Sequence, residues 1–160
     1  MLYTIILSPL WSSVTNAYIN NDFAWLKTTI KRLNILSFIF IGGIIVMVFI
    51  SDFIIKLWIG DKIKVPFGLT ILMAIYSMMN IFIAPYSHFV NGTGKLRLTM
   101  VFSIIGITLY FFSIYLFGHR FNDSSGVLIA IIIPYVLFNF IQPFQTYKIL
   151  NKTATGILLK

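Results

Sequence analysis

Cysteine is absent from this 160-residue chain, so neither a disulfide nor a thiolate metal site can form. Acid is nearly as scarce, with four Asp and Glu against twelve Lys and Arg. Only two histidines occur, His88 and His119. These shortages exclude an HExxH site, a His cluster, a Cys-His pair and paired carboxylates. No catalytic, cofactor-binding or metal-ligating set is assigned, and the chain is not expected to be an enzyme. The first 21 residues hold no Lys or Arg, so the basic n-region of a secretory signal is not there either.

What the chain has instead is apolar length. Hydrophobic residues make up 59% and charged residues 10%, and the mean hydropathy is +0.94. That balance lies far from the soluble norm and implies an integral membrane protein. A net charge of +8 would suggest nucleic acid in a soluble protein. Here the basic residues stand between apolar runs, so membrane orientation explains them and no nucleic-acid partner is expected.

Crossing roughly 30 Å of hydrocarbon takes about 20 mostly apolar residues. Four stretches free of Asp, Glu, Lys and Arg qualify: residues 33–50, 66–90, 98–117 and 127–147. Residues 2–19 are weakly apolar and interrupted by Pro9 and Ser12-Ser13, and read as the last part of a fifth helix. The expected fold class is all-α, a polytopic bundle in a single transmembrane region over residues 1–160.

NGTGKLRL, residues 91–98, is the shortest polar island. A phosphate-binding loop would need G-x-x-x-x-G-K-[ST]. Phe89 stands where the first glycine belongs, and Leu96 where the hydroxyl belongs. The segment reads instead as a loop between two spans, with Asn-Gly-Thr-Gly stopping one helix and Lys95 and Arg97 in the headgroup region.

Short connections make neighbouring spans alternate in direction, which sorts the charges. One side receives Lys27, Lys31, Arg32, Lys95, Arg97, Lys148, Lys152 and Lys160 against Asp22. The other receives Lys56, Lys62, Lys64 and Arg120 against Asp52, Asp61 and Asp123. The first side, at +7 against +1, is placed in the cytoplasm together with the C-terminus. On that basis Lys95 and Arg97 are topology anchors, with contact to anionic headgroups as the alternative. Trp58, Tyr86 and Tyr147 fall at span ends, where amphipathic rings favour the interface.

Uncharged polar residues are patterned within the spans. At 100° per residue, Tyr76, Asn80, Ser87 and Asn91 share a stripe about 60° wide on the second span. Tyr135, Asn139, Gln142 and Thr146 do the same on the last, opposite Leu137, Ile141 and Phe144. Such stripes avoid lipid. Two explanations stand, hydrogen bonds between helices or the lining of a cavity, and the candidate lining is Tyr76, Asn80, Ser87, Tyr135, Asn139, Gln142 and Thr146. His88, near a span end and on the opposite side from His119, is either a packing residue or a proton relay. Pro85, Pro134 and Pro143 each free a backbone carbonyl. Gly42-Gly43 and Gly106 are expected at close helix contacts.

Three segments carry a resemblance to a family: SPLWSSVTNAYINNDFAWLKTTIKR (residues 8–32), IIKLWIGD (54–61) and VNGTGKLRL (90–98). In this order and at this topology they resemble the C-terminal half of the multidrug/oligosaccharidyl-lipid/polysaccharide exporter superfamily, in particular bacterial polysaccharide and O-antigen flippases. Asn21-Asp22 departs from the Gly-Asp common in such proteins but keeps the turn. The resemblance implies a partial C-terminal lobe of a two-lobe transporter, from the end of the eighth helix through the twelfth, in the bacterial inner membrane. It implies alternating-access flipping of an undecaprenyl-linked oligosaccharide. The partners would then be membrane lipid, the lipid-linked oligosaccharide and an N-terminal lobe, and groups for the pyrophosphate would lie in that lobe. Two further readings stay open: a drug or small-metabolite exporter of the same superfamily, or a small four-helix accessory or scaffold protein of glycan assembly.

Orientation can be tested directly. A reporter fused after Lys160 should signal the cytoplasm, and one inserted near Asp123 the exterior. Reversed signals at both positions would overturn the assignment of sides.

Overall fold

The computed structural model describes residues 2–60, 65–120, 124–154 and 156. Among the described residues six helices follow one another: α1 (Leu2–Leu7), α2 (Leu10–Ile19), α3 (Phe23–Ile59), α4 (Phe67–Thr93), α5 (Arg97–Arg120) and α6 (Ser124–Leu150). The protein is an all-α bundle in which four helices, α3 to α6, are long and apolar enough to cross a membrane. Asp61, Lys62, Lys64, Asp123 and Lys160, which entered the charge count, lie outside the described residues.

Local chemistry sets the element ends. The expected helix over 2–19 is two helices, because Pro9 cannot donate to the preceding turn and the chain breaks at Ser8-Pro9. Asn21 then adopts a left-handed φ of 57°, a conformation open to Gly and tolerated by Asn. Asp22 caps the next helix, its carboxylate accepting the Trp25 N–H at 3.0 Å. From there nothing interrupts α3 for 37 residues, about 55 Å at 1.5 Å per residue. The apolar run 33–50 is therefore the middle of a longer rod, which carries Lys27, Lys31 and Arg32 beyond it.

The polar island is shorter than its sequence suggested. Asn91, Gly92 and Thr93 are still helical, and α4 ends only at Gly94, whose φ of 71° is left-handed. Lys95 and Leu96 alone separate that cap from α5. Gly92 is held for another reason: a Cβ there would lie 2.7 Å from Val14 Cγ1 and 3.2 Å from the Trp11 carbonyl. The lack of a side chain lets α2 lie directly on the end of α4. Thr15 fastens the contact by donating to the Gly92 carbonyl at 2.8 Å.

α5 packs on α6, α6 on α4 and α4 on α3, while α1 and α2 lie against α4. Val14, Leu26, Ile30, Phe89, Val90, Ile149, Leu150 and Ala154 form the main core. Its members come from α2, the start of α3, the end of α4, and the end of α6 with the residues just after it, which places those segments and the start of α5 together. Lys27, Lys31, Arg32, Lys95, Arg97, Lys148 and Lys152 thus gather at one end of the bundle, and Lys152 Nζ sits 4.5 Å from the centre of the Phe23 ring. A second cluster, Tyr3, Leu7 and Leu33, lies next to it. Toward the other end α3 presents bare apolar surface, with Phe49 80% and Trp58 84% exposed.

Gly106 meets the expectation of a close contact, since a Cβ would come 3.1 Å from Phe138. Gly42 and Gly43 do not: both are exposed with nothing within 4 Å of an added Cβ, because α3 faces outward there. Gly92→Ala should lower stability by about 1–3 kcal/mol, the usual range for an overpacked contact, while Gly42→Ala should cost nothing. Thermal unfolding in detergent checks both. Adding Val14→Ala to Gly92→Ala should restore part of the loss, because the nearest clashing methyl is removed and the Trp11 carbonyl remains.

Candidate functional site

Proline creates the first polar requirement inside the bundle. Pro85 has no N–H, so the carbonyl of Ile81, one turn earlier, loses its helical partner. Ser37 of α3 approaches it, its single hydroxyl proton shared between that oxygen at 3.4 Å and the nearer Leu33 carbonyl of its own helix at 3.0 Å. The Tyr3 hydroxyl in turn bonds Ser37 Oγ at 2.6 Å. Ser37 is buried, and this link joins α1, α3 and α4. Nearby, Asn34 donates to the Tyr86 hydroxyl at 2.8 Å. Tyr86 is therefore a half-buried packing residue, whereas Trp58 and Tyr147 are exposed as interface anchors would be.

Beside this link opens a cavity of about 940 Å³ between α1, α3, α4 and α6. Tyr76, Asn80, Ser87 and His88 of α4 line it, and Tyr135 of α6 reaches it from across. Tyr76 and Tyr135 meet edge to face, ring centres 5.2 Å apart at 68°. Each begins the same local unit. Asn80 donates to the Tyr76 carbonyl at 2.8 Å, and Asn139 to the Tyr135 carbonyl at 2.9 Å. In both cases the amide N–H is satisfied on its own helix, and the side-chain oxygen keeps lone pairs for another donor.

Five of the sequence candidates, Tyr76, Asn80, Ser87, His88 and Tyr135, thus share one cavity. Asn139, Gln142 and Thr146 are not among its lining residues. Gln142 and Thr146 are buried in helix packing, because α6 closes against its neighbours below Tyr135. Lys95 and Arg97 stand apart from the cavity at the basic end, Arg97 exposed and Lys95 half-buried. The Lys95 carbonyl, rather than its ammonium, makes the specific contact: Gln145 Nε2 donates to it at 2.8 Å.

Several contributors were not picked out from the sequence. Tyr3 and Thr4 reach the cavity because α1 folds back across α4, a tertiary placement. Ser77 also lines it, 100° round from Tyr76, which shows a wetter face wider than the stripe. Gln145 had a usable signal in its i, i+3 spacing from Gln142.

Two other hollows are apolar. One of about 390 Å³ runs between α5 and α6 over Gly106, and one of about 440 Å³ lies between α3 and α4 near Thr70. They offer few polar atoms, so the larger cavity is the better candidate for a polar solute. Among the described residues no group of His, Cys, Asp or Glu could hold a metal ion.

With this geometry the chain belongs to the class of polytopic membrane-helix proteins, with a mostly apolar cavity among its spans into which Tyr76, Asn80, Ser87, His88 and Tyr135 bring polar groups. Compared with known proteins, it matches no family model, no curated protein and no solved structure.

The absence of native cysteine makes accessibility simple to read. Asn80→Cys and Ser87→Cys should react with a water-soluble thiol reagent in lipid nanodiscs. Thr146→Cys should stay protected. Equal protection at all three positions would show that the cavity is closed to solutes.

Proposed function

We propose that this chain is part of a flippase that carries an undecaprenyl-linked oligosaccharide across the bacterial cytoplasmic membrane, with its basic end in the cytoplasm. The observation carrying this reading is the cavity in which Tyr76, Asn80, Ser87 and Tyr135 converge. Its walls offer hydroxyls, an amide oxygen and aromatic rings, and none of its lining residues is Asp, Glu, Lys or Arg. Such a surface suits an uncharged sugar, whose hydroxyls need donors and acceptors and whose apolar faces pack on rings. The three sequence segments resembling polysaccharide flippases point the same way.

In this proposal the chain forms most of a C-terminal lobe, and a second lobe completes the route. Alternating access then comes from rocking of one lobe against the other around the cavity. Residues Tyr76, Asn80, Ser87 and Tyr135 bind and orient the glycan. His88, on the cavity wall, is available as a proton-linked group. No bond is made or broken in the cargo, so the role is transport rather than catalysis. The basic residues Lys95 and Arg97 fix orientation and meet lipid headgroups from outside the cavity.

Movement of fluorescent lipid-linked oligosaccharide in reconstituted vesicles tests the reading. Residues 1–160 alone should insert without moving it. In the complete transporter, Asn80→Leu with Ser87→Leu should slow flipping by roughly tenfold, the equivalent of about 1.4 kcal/mol of lost hydrogen bonding. Unchanged flipping in that variant, or movement of small drugs but not of the glycan lipid, would overturn the assignment.

A further inference from the structure

Below Tyr135 the polar stripe of α6 leaves the cavity and becomes buried. Gln142 is 5% exposed, Gln145 0% and Thr146 1%. All three fall on one side of the helix, at i, i+3 and i+4. The Gln145 bond to the Lys95 carbonyl places this side against the start of α5, where Thr99 is on the first turns. α4 and α6 run in the same direction and touch at Tyr76 and Tyr135. Carried along at that register, Ser87 and His88 come level with Thr146.

Several buried polar atoms on these three helices have no hydrogen-bond partner in the protein. They are Gln142 Oε1, Gln145 Oε1 and Thr146 Oγ1 on α6, Thr99 Oγ1 on α5 and His88 Nδ1 on α4. The two glutamine oxygens can only accept. Buried acceptors left bare are costly, and native interiors rarely leave several together. The glutamine oxygens need a donor and the threonine hydroxyls an acceptor as well, a combination that a small molecule with both can supply.

We infer that bound water fills the seam between α4, α5 and α6, held by Gln142, Gln145 and Thr146, as a wet layer beside the part of the cavity nearest the basic end. Water supplies two donors and two acceptors and commonly makes about three bonds to buried polar groups. A cation fits this seam less well. The described carboxylates are elsewhere: Asp22 caps α3, and Asp52 lies toward the other end of that helix. The neutral amide and hydroxyl oxygens bring no charge to hold an ion. The layer has a mechanical consequence. Contacts made through exchangeable water let α6 shift against α4 and α5 without stripping its glutamines, whereas the direct Gln145–Lys95 bond keeps the helix end in place.

Water-to-protein magnetisation transfer in the full chain, in lipid nanodiscs, tests this without any substitution. The Thr146 methyl should show transfer from water. The Ala130 methyl, also fully buried on α6, should show none. No transfer at Thr146, or equal transfer at both, overturns the inference. Gln142→Met gives an independent readout. If water is present, removing its acceptor should lower Tm by about 3 °C, as expected for a loss of one good polar contact; an unchanged or raised Tm would mean that the oxygen was dry, and the wet layer would be withdrawn.

Discussion

Everything in this bundle follows from one constraint: backbone N–H and C=O groups surrounded by hydrocarbon must find partners within the chain. Long helices meet it almost completely, which is why four of the six elements run for more than twenty residues. Proline breaks the rule locally, and the break at Pro85 shows how the fold responds. Ser37 reaches the freed Ile81 carbonyl, and Tyr3 bonds Ser37. A missing N–H in one helix thereby organises two others. The cavity opens beside this link, so a local backbone defect and a place for a polar solute occur together.

The same constraint explains the uneven distribution of packing. Association of helices in lipid has no hydrophobic drive comparable to that in water, so it relies on close fit and polar contacts. Both are concentrated at the basic end. Gly92 lets α2 approach α4, Thr15 and Gln145 bond the carbonyls on either side of the Gly94 cap, and the main core forms around them. Away from that end the helices present Phe, Ile, Leu and Trp outward, a surface that lipid or a further protein segment covers equally well in energetic terms.

The cavity lining holds no Asp, Glu, Lys or Arg, and His88 is its one imidazole. On α4 the Asn80 amide donates to the Tyr76 carbonyl, which leaves the side-chain oxygen of this cavity-lining residue with lone pairs to accept another donor. A solute rich in hydroxyls can use such oxygens, and the edge-to-face tyrosines supply an apolar platform. That combination is what makes the flippase proposal chemically economical, and it distinguishes this cavity from the two apolar hollows.

Composition and the spacing of charges were sufficient to establish a membrane protein with four spans, because hydrocarbon tolerates no other arrangement of runs that long and that apolar. The stripes on α4 and α6 were legible too, since helical periodicity alone puts Tyr76, Asn80 and Ser87 on one side. Which stripe residues meet a cavity was not. Tyr135 lines it while Gln142 and Thr146 are buried, and this depends on where α6 closes against its neighbours, a distance that no periodicity encodes. Likewise Gly42-Gly43 looked like a contact and faces outward, whereas Gly92 looked like a loop and is where α2 lies directly on α4. One-dimensional patterns specify the direction of a side chain about its own helix; only the tertiary packing decides what stands opposite it.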